Sequence, residues 1–223
     1  MVNKVLELRY LKNNVNDQCV PITLFVVCKN QFEKDKRVKF SEISFNNIKK
    51  WTHWGDKHTL DLLKVMPEKD NKIYHACFQG TFNITSFHIE LNSNIRIFNI
   101  RLESKYEFTS KDIEDKLLEG KCPMIMINPQ YVNEAEQNIT KHRMVRGDPE
   151  ISHFIAIHGI NNGKRCFIYD CNLPHDNDEV LSEENIKCEA KFDILRKYSK
   201  DITNRLYWFE LIDKSEKTNL LPY

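Results

Sequence analysis

The chain carries almost no net charge, because 33 Lys and Arg residues stand against 32 Asp and Glu. A balance this even gives no overall field to draw the protein to nucleic acid or to an acidic membrane surface, so neither is expected as a partner. Long apolar runs are missing too. None approaches the roughly 18 residues that would span a bilayer, and the opening MVNKVLELRYLKNN is charged throughout instead of carrying the apolar stretch of a secretory leader. The expectation is a soluble protein, cytoplasmic or exported without such a leader as an effector. Its Asn, Lys and Ile richness fits an AT-rich genome. No CxxC pair occurs, and the seven cysteines, at 19, 28, 77, 122, 166, 171 and 188, are odd in number and scattered. That pattern argues for a reducing compartment over a disulfide framework. Composition shifts, low-complexity tracts and internal repeats are absent as well, so residues 1–223 are expected to form a single domain around one core. Asn83 and Asn138 each begin an Asn-Ile-Thr acceptor pattern, which carries no weight without a secretory signal.

What is present concentrates in ISHFIAIHGINNGKRCFIYDCN, residues 151–172. Two short strands, Ser152 to Gly159 and Lys164 to Asp170, flank Asn161, Asn162 and Gly163, and Asn followed by Gly between apolar runs supplies the positive φ angles of a tight hairpin. His153 opens the first strand and Asp170 closes the second. Folding back about the turn would bring an imidazole and a carboxylate to the same open end, where a base and its orienter could meet. Asn172 is a second candidate for the orienter. His158, five residues beyond His153, belongs to the other face of a regular strand and is a second candidate for the base.

Such a pair needs a nucleophile, and Cys19 stands far upstream, directly before the apolar run VPITLFVVC. Periodicity cannot separate a buried strand from a buried helix here. Pro21 decides for a helix, since proline is tolerated in a first turn and is poorly placed in a central strand. A thiol at that position lies in the positive end of the helix dipole, which favours the thiolate. The competing reading is an inert buried cysteine.

Elsewhere the chain reads as scaffold. Phe40 to Trp51 and Lys57 to Met66 show helical spacing. His53 and His58 lie five apart with no third partner, so no metal is expected, and no cofactor either. Residues 72–102 alternate as strands, with His75 and His88 on strand faces. In SKDIEDKLLEG, Ser110 with Glu114 behind it predicts an N-cap and Gly120 a C-terminal stop, before the buried strand of CPMIMI. Residues 128–149 are too long for an idle loop and suggest a lid or specificity loop. Residues 206–212 read as a final strand, followed by a loose tail.

The order of these pieces resembles the papain-like cysteine peptidase superfamily, nearest to the branch of bacteriocin-processing, double-glycine peptidases. In that branch the nucleophile is followed by Gly, Pro and, further on, Leu; here Cys19 is followed by Val20, Pro21 and Leu24. The helix-Gly-x-Pro-strand unit is approximated by Gly120, Pro123 and MIMI, with Lys121 and Cys122 between the Gly and the Pro where the family has one residue. The His-strand-hairpin-strand-Asp unit matches His153 through Asp170. Many relatives continue Asp-Pro-Asn, whereas Cys171 stands before Asn172 here. The family's oxyanion-donating Gln falls six residues before the nucleophile; that position is Asn13, with Gln18 as the other candidate.

The resemblance implies an α+β fold in which a nucleophile-bearing helix packs on an antiparallel sheet carrying the His and Asp. It implies a Cys19, His153, Asp170 triad cutting an amide or isopeptide bond of a protein or peptide through a thioester. The Cys19 N–H with Gln18 or Asn13 would receive the oxyanion, worth roughly 3 kcal/mol per donor. A glutamine deamidase or an acyl or peptidyl transferase would use the same groups. Two readings compete: a catalytically inactive papain-like binding module, and an interaction protein using the aromatic cluster of Phe45, Trp51 and Trp54.

Overall fold

The computed structural model describes residues 4–9, 19–52, 91–137, 153–172, 180–181, 188–200 and 202–212. Asn13, Gln18, His53, Trp54, His58, the 57–66 helix, His75, Cys77, Asn83, His88, Asn138 and the tail all fall outside these residues, and so does most of the 128–149 connection.

Two of the apolar runs without periodicity, MIMI and HFIAIHGI, become central strands, while VPITLFVVC becomes a buried helix. In β4 (Met124–Ile127) and β6 (His153–Asn161) successive side chains point to opposite faces, and both faces are covered. Met124, Met126, Phe154 and Ala156 join one apolar cluster, while Ile125, Ile127, Ile155 and Ile157 join the other. The sheet therefore separates two cores. Its strand order is β3 (Ile100–Tyr106), β10 (Arg205–Leu211), β4, β6, β7 (Arg165–Tyr169), β9 (Cys188–Lys191) and β5 (Glu136–Gln137), with β1 (Lys4–Val5) also pairing with β6. Every pairing is antiparallel. A small second sheet joins β2 (Leu8–Arg9) to β8 (Val180–Leu181).

Helix α1 (Cys19–Phe32) lies over the first core, and its near-continuous burial explains why no amphipathic pattern marks it. The sheet lies beneath it. Above, Phe25 packs on Phe40 and Phe45, with Phe45 in helix α2 (Phe45–Trp51). Phe45 and Trp51, expected as an outward aromatic surface, are instead half-buried against this core, Trp51 stacking on Phe98. On the other face lie α3 (Ser110–Leu118), which buries Ile113 and Leu117 one turn apart, and α4 (Phe192–Lys200), which buries Phe192, Leu195 and Ser199. The α+β architecture is as expected, with the Cys19 helix packed on an antiparallel sheet that carries His153 and Asp170.

Several expectations need correction. The α3 cap is Thr109, which accepts from the Asp112 N–H while Asp112 reaches back to the Thr109 N–H, so the capping box lies one residue earlier than Ser110. Residues 91–95 are helical and Arg96–Phe98 form a 3-10 turn, so the strand begins only at Ile100. The switch occurs at Asn99, whose left-handed backbone (φ 67°) ends the turn. Phe40 to Trp51 is broken into a 3-10 turn and a short α-helix, with Ser44 capping the second by accepting from the Asn47 N–H. Helix α4 was not foreseen, although Phe192, Leu195 and Ser199 have helical spacing. Gly120 does stop α3, at φ 76°.

Candidate functional site

The hairpin forms as its turn residues require. Asn162 and Gly163 both take positive φ, 52° and 64°, and join β6 to β7. The strands pair from Asn161 with Arg165 down to Ala156 with Tyr169. Asp170 therefore leaves β7 at the end where His153 begins β6. His153 Nε2 and Asp170 Oδ1 are 2.7 Å apart, and the two side chains are 4% and 0% exposed. With Nε2 engaged by Asp170, the Cys19 thiol lies near enough to His153 to help raise its proton affinity. Cys19 is the first residue of α1 and is buried. Three residues distant in sequence thus meet at one end of the sheet.

Three more groups complete the surroundings. The Tyr131 hydroxyl donates to Asp170 Oδ2 at 2.7 Å, and the Asn172 backbone N–H donates to Oδ1 at 2.9 Å. Asn172, the alternative orienter, thus contributes through its main chain to the carboxylate that His153 holds. Thr23, one turn after Cys19, donates to the Phe154 carbonyl at 3.1 Å and also meets the Cys171 thiol. This ties α1 to the start of β6.

The electrostatics follow from burial opposed by pairing. Burial disfavours the His153 imidazolium, but the Asp170 charge and hydrogen bond, with the Cys19 thiol, overcome it and hold His153 well above the usual 6.5. Burial likewise penalises the Asp170 carboxylate, and His153, Tyr131 and the Asn172 N–H together keep it below the usual carboxylate range. Burial, then the charges of Cys19 and Asp170, push Cys171 well up. Among the described residues, no group of three His, Cys, Asp or Glu side chains could hold a metal ion.

No family model and no curated protein matches this chain. Among solved structures it is similar to a Bacillus anthracis protein described as a C39-like peptidase, with 13% identity and a TM-score of 0.33 over 57% of this chain. The match spans 60% of that structure's own length, less than two thirds of it.

His158 lies elsewhere. A register shift between Ile157 and Gly159 breaks the strand's regular alternation at this residue, and Nδ1 bonds the Leu6 carbonyl at 3.1 Å. Five residues of strand place it about 16 Å from His153, against β1 and not against Cys19. Both oxyanion candidates, Gln18 and Asn13, lie outside the described residues. Among the described residues, no helix is long and apolar enough to cross a membrane. Sequence reasoning missed Tyr131 and Thr23. Each acts across a strand or helix pairing, so no local pattern marks them.

Proposed function

We propose that the chain is a cysteine-nucleophile hydrolase of amide or isopeptide bonds, with a protein or peptide as substrate. The observation that carries this reading is the buried His153 and Asp170 pair at 2.7 Å, with the Cys19 thiol near enough to raise the imidazole's proton affinity. His153 takes the thiol proton, which its raised proton affinity favours. The thiolate then attacks the acyl carbon, and the Cys19 N–H at the start of α1, with Gln18 or Asn13, receives the oxyanion. As the C–N bond breaks, His153 returns the proton to the leaving amine, which departs and leaves a thioester on Cys19. Water, losing a proton to His153, attacks the thioester carbonyl; the acid leaves and the thiol is restored. Asp170 fixes the imidazole tautomer and offsets its charge throughout.

The test is iodoacetamide alkylation of every cysteine against pH, read by peptide mass spectrometry, for wild type and His153→Ala. Cys19 is expected to react faster than the other six near neutral pH and to lose that advantage in the variant. A Cys19 no faster than its neighbours would end the catalytic reading and favour an inactive binding module.

A further inference from the structure

Asp170 is a buried carboxylate that must present one oxygen to His153 in a fixed direction, and a residue from a different part of the sheet holds the other oxygen. We propose that Tyr131 is a positioning residue for the Cys19 and His153 pair: its hydroxyl pins Asp170 Oδ2 so that Oδ1 faces His153 Nε2. This rests on the catalytic reading above and deepens it.

Tyr131 is fully buried, and its hydroxyl stands 2.7 Å from Oδ2, while His153 and the Asn172 N–H share Oδ1 at 2.7 and 2.9 Å. The two oxygens thus have separate tasks. An ionised carboxyl only accepts hydrogen bonds, so donors on both oxygens fix its plane and help replace the water that burial removed.

The placement of Tyr131 is itself well determined. It sits in a 3-10 turn, Pro129–Asn133, that directly follows β4. Ile127, the last residue of β4, pairs with His153, so one strand pairing sets the positions of both side chains. The turn is held by the Asn128 side chain accepting from the Gln130 N–H at 2.8 Å and by the Asn128 N–H donating to the Tyr198 carbonyl at 2.9 Å. Burial first, and then the Asp170 charge, hold the Tyr131 hydroxyl well above its usual value, so it remains a donor throughout the working pH range. The titratable groups around the carboxylate are His153 on β6, Cys19 on α1, Cys171 after β7, Cys188 on β9 and Tyr131 itself.

The experiment is the pH profile of Cys19 alkylation in full-length wild type, Tyr131→Phe and Asn128→Ala, paired with nitrogen NMR of the His153 ring. In Tyr131→Phe, a buried carboxylate with one donor fewer takes up a proton more readily and then no longer holds the imidazolium. The acid limb of the profile should move to higher pH, with alkylation near pH 6 slowed about threefold or more, equivalent to half a pH unit, and the ring nitrogens should show mixed tautomers. A profile and ring spectrum that superimpose on wild type would overturn the proposal, because the phenyl ring keeps the packing. If Tyr131→Phe does not fold, Asn128→Ala decides. It loosens the turn but keeps the hydroxyl, and an unmoved profile would overturn the proposal while a smaller shift in the same direction would support it. A wild-type Cys19 that is not selectively reactive would instead bring down the catalytic reading, so the two failures are distinct.

Discussion

His153 and His158 stand five residues apart on one strand, both essentially buried, and their proton affinities move in opposite directions. His153 is held well above 6.5, whereas burial lowers His158 to about 4, only partly offset by its bond to the Leu6 carbonyl. Burial penalises the imidazolium at both sites. What separates them is a carboxylate at one and a neutral carbonyl at the other. The linkage signs are therefore opposite. His153 contributes stability in full below about 6.5, and this is lost as pH rises through its raised folded value; His158 costs stability as pH falls from 6.5 to about 4. The contribution of Asp170 is present above its unfolded value and is lost as pH falls through its lowered folded one.

The largest expected effect comes from removing the difference. Asp170→Asn keeps the shape but takes away the charge, so His153 should titrate below 6.5, as His158 does. Because a buried pair is broken, stability should fall by about 3 to 5 kcal/mol, and the reactivity advantage of Cys19 should disappear. Denaturant titration with imidazole NMR reads both, and a His153 that still titrates above 6.5 would mean that Asp170 is not what raises it.

The next largest acts on the other histidine. His158→Asn can still donate to Leu6 but cannot take up a proton, so it should flatten the acid loss of stability between pH 6.5 and 4. A displacement of 2.5 pH units corresponds to about 3 kcal/mol at most. Melting curves across that range would show it, and an unchanged pH slope would place the acid sensitivity elsewhere.

Gly159→Ala sharpens the comparison from the β1 side. An added Cβ would meet Phe167 Cδ2 at 2.7 Å and the Lys4 carbonyl at 3.0 Å. Pushing β1 off the sheet loosens the Leu6 anchor of His158 but leaves His153 alone. The expected cost is about 1 to 3 kcal/mol, with the Cys19 alkylation profile unchanged. Thr109→Ala, remote from both histidines, should cost about 1 kcal/mol through the lost cap and shift neither titration; thermal denaturation and NMR would check this.

The legible parts of the sequence were those in which local chemistry acts alone. Asn162 and Gly163 announced the hairpin because their backbone angles belong to the turn itself. Pro21 placed the start of α1, and Gly120 the end of α3, for similar reasons. The β-like alternation before Ile100 misled, since residues 91–98 are helical and the apolar side chains Leu91, Ile95 and Phe98 serve the first core from that geometry. The hairpin ranked His153 ahead of His158, but the opposite shifts of their proton affinities depend on what lies across the strand, Asp170 at one and the Leu6 carbonyl at the other.

The sequence by itself determined that a hairpin brings His153 and Asp170 to one end, since strand length and turn type fix that juxtaposition without outside help. It also determined that Cys19 begins a helix. Only the tertiary structure decided which groups complete the arrangement: Tyr131 arrives through the pairing of β4 with β6, Thr23 through the packing of α1 on the sheet, and Leu6 beside His158 through β1. These contacts join residues far apart in sequence, and the free energy that selects them is the burial of both faces of the sheet, a property of the whole chain and not of any local stretch.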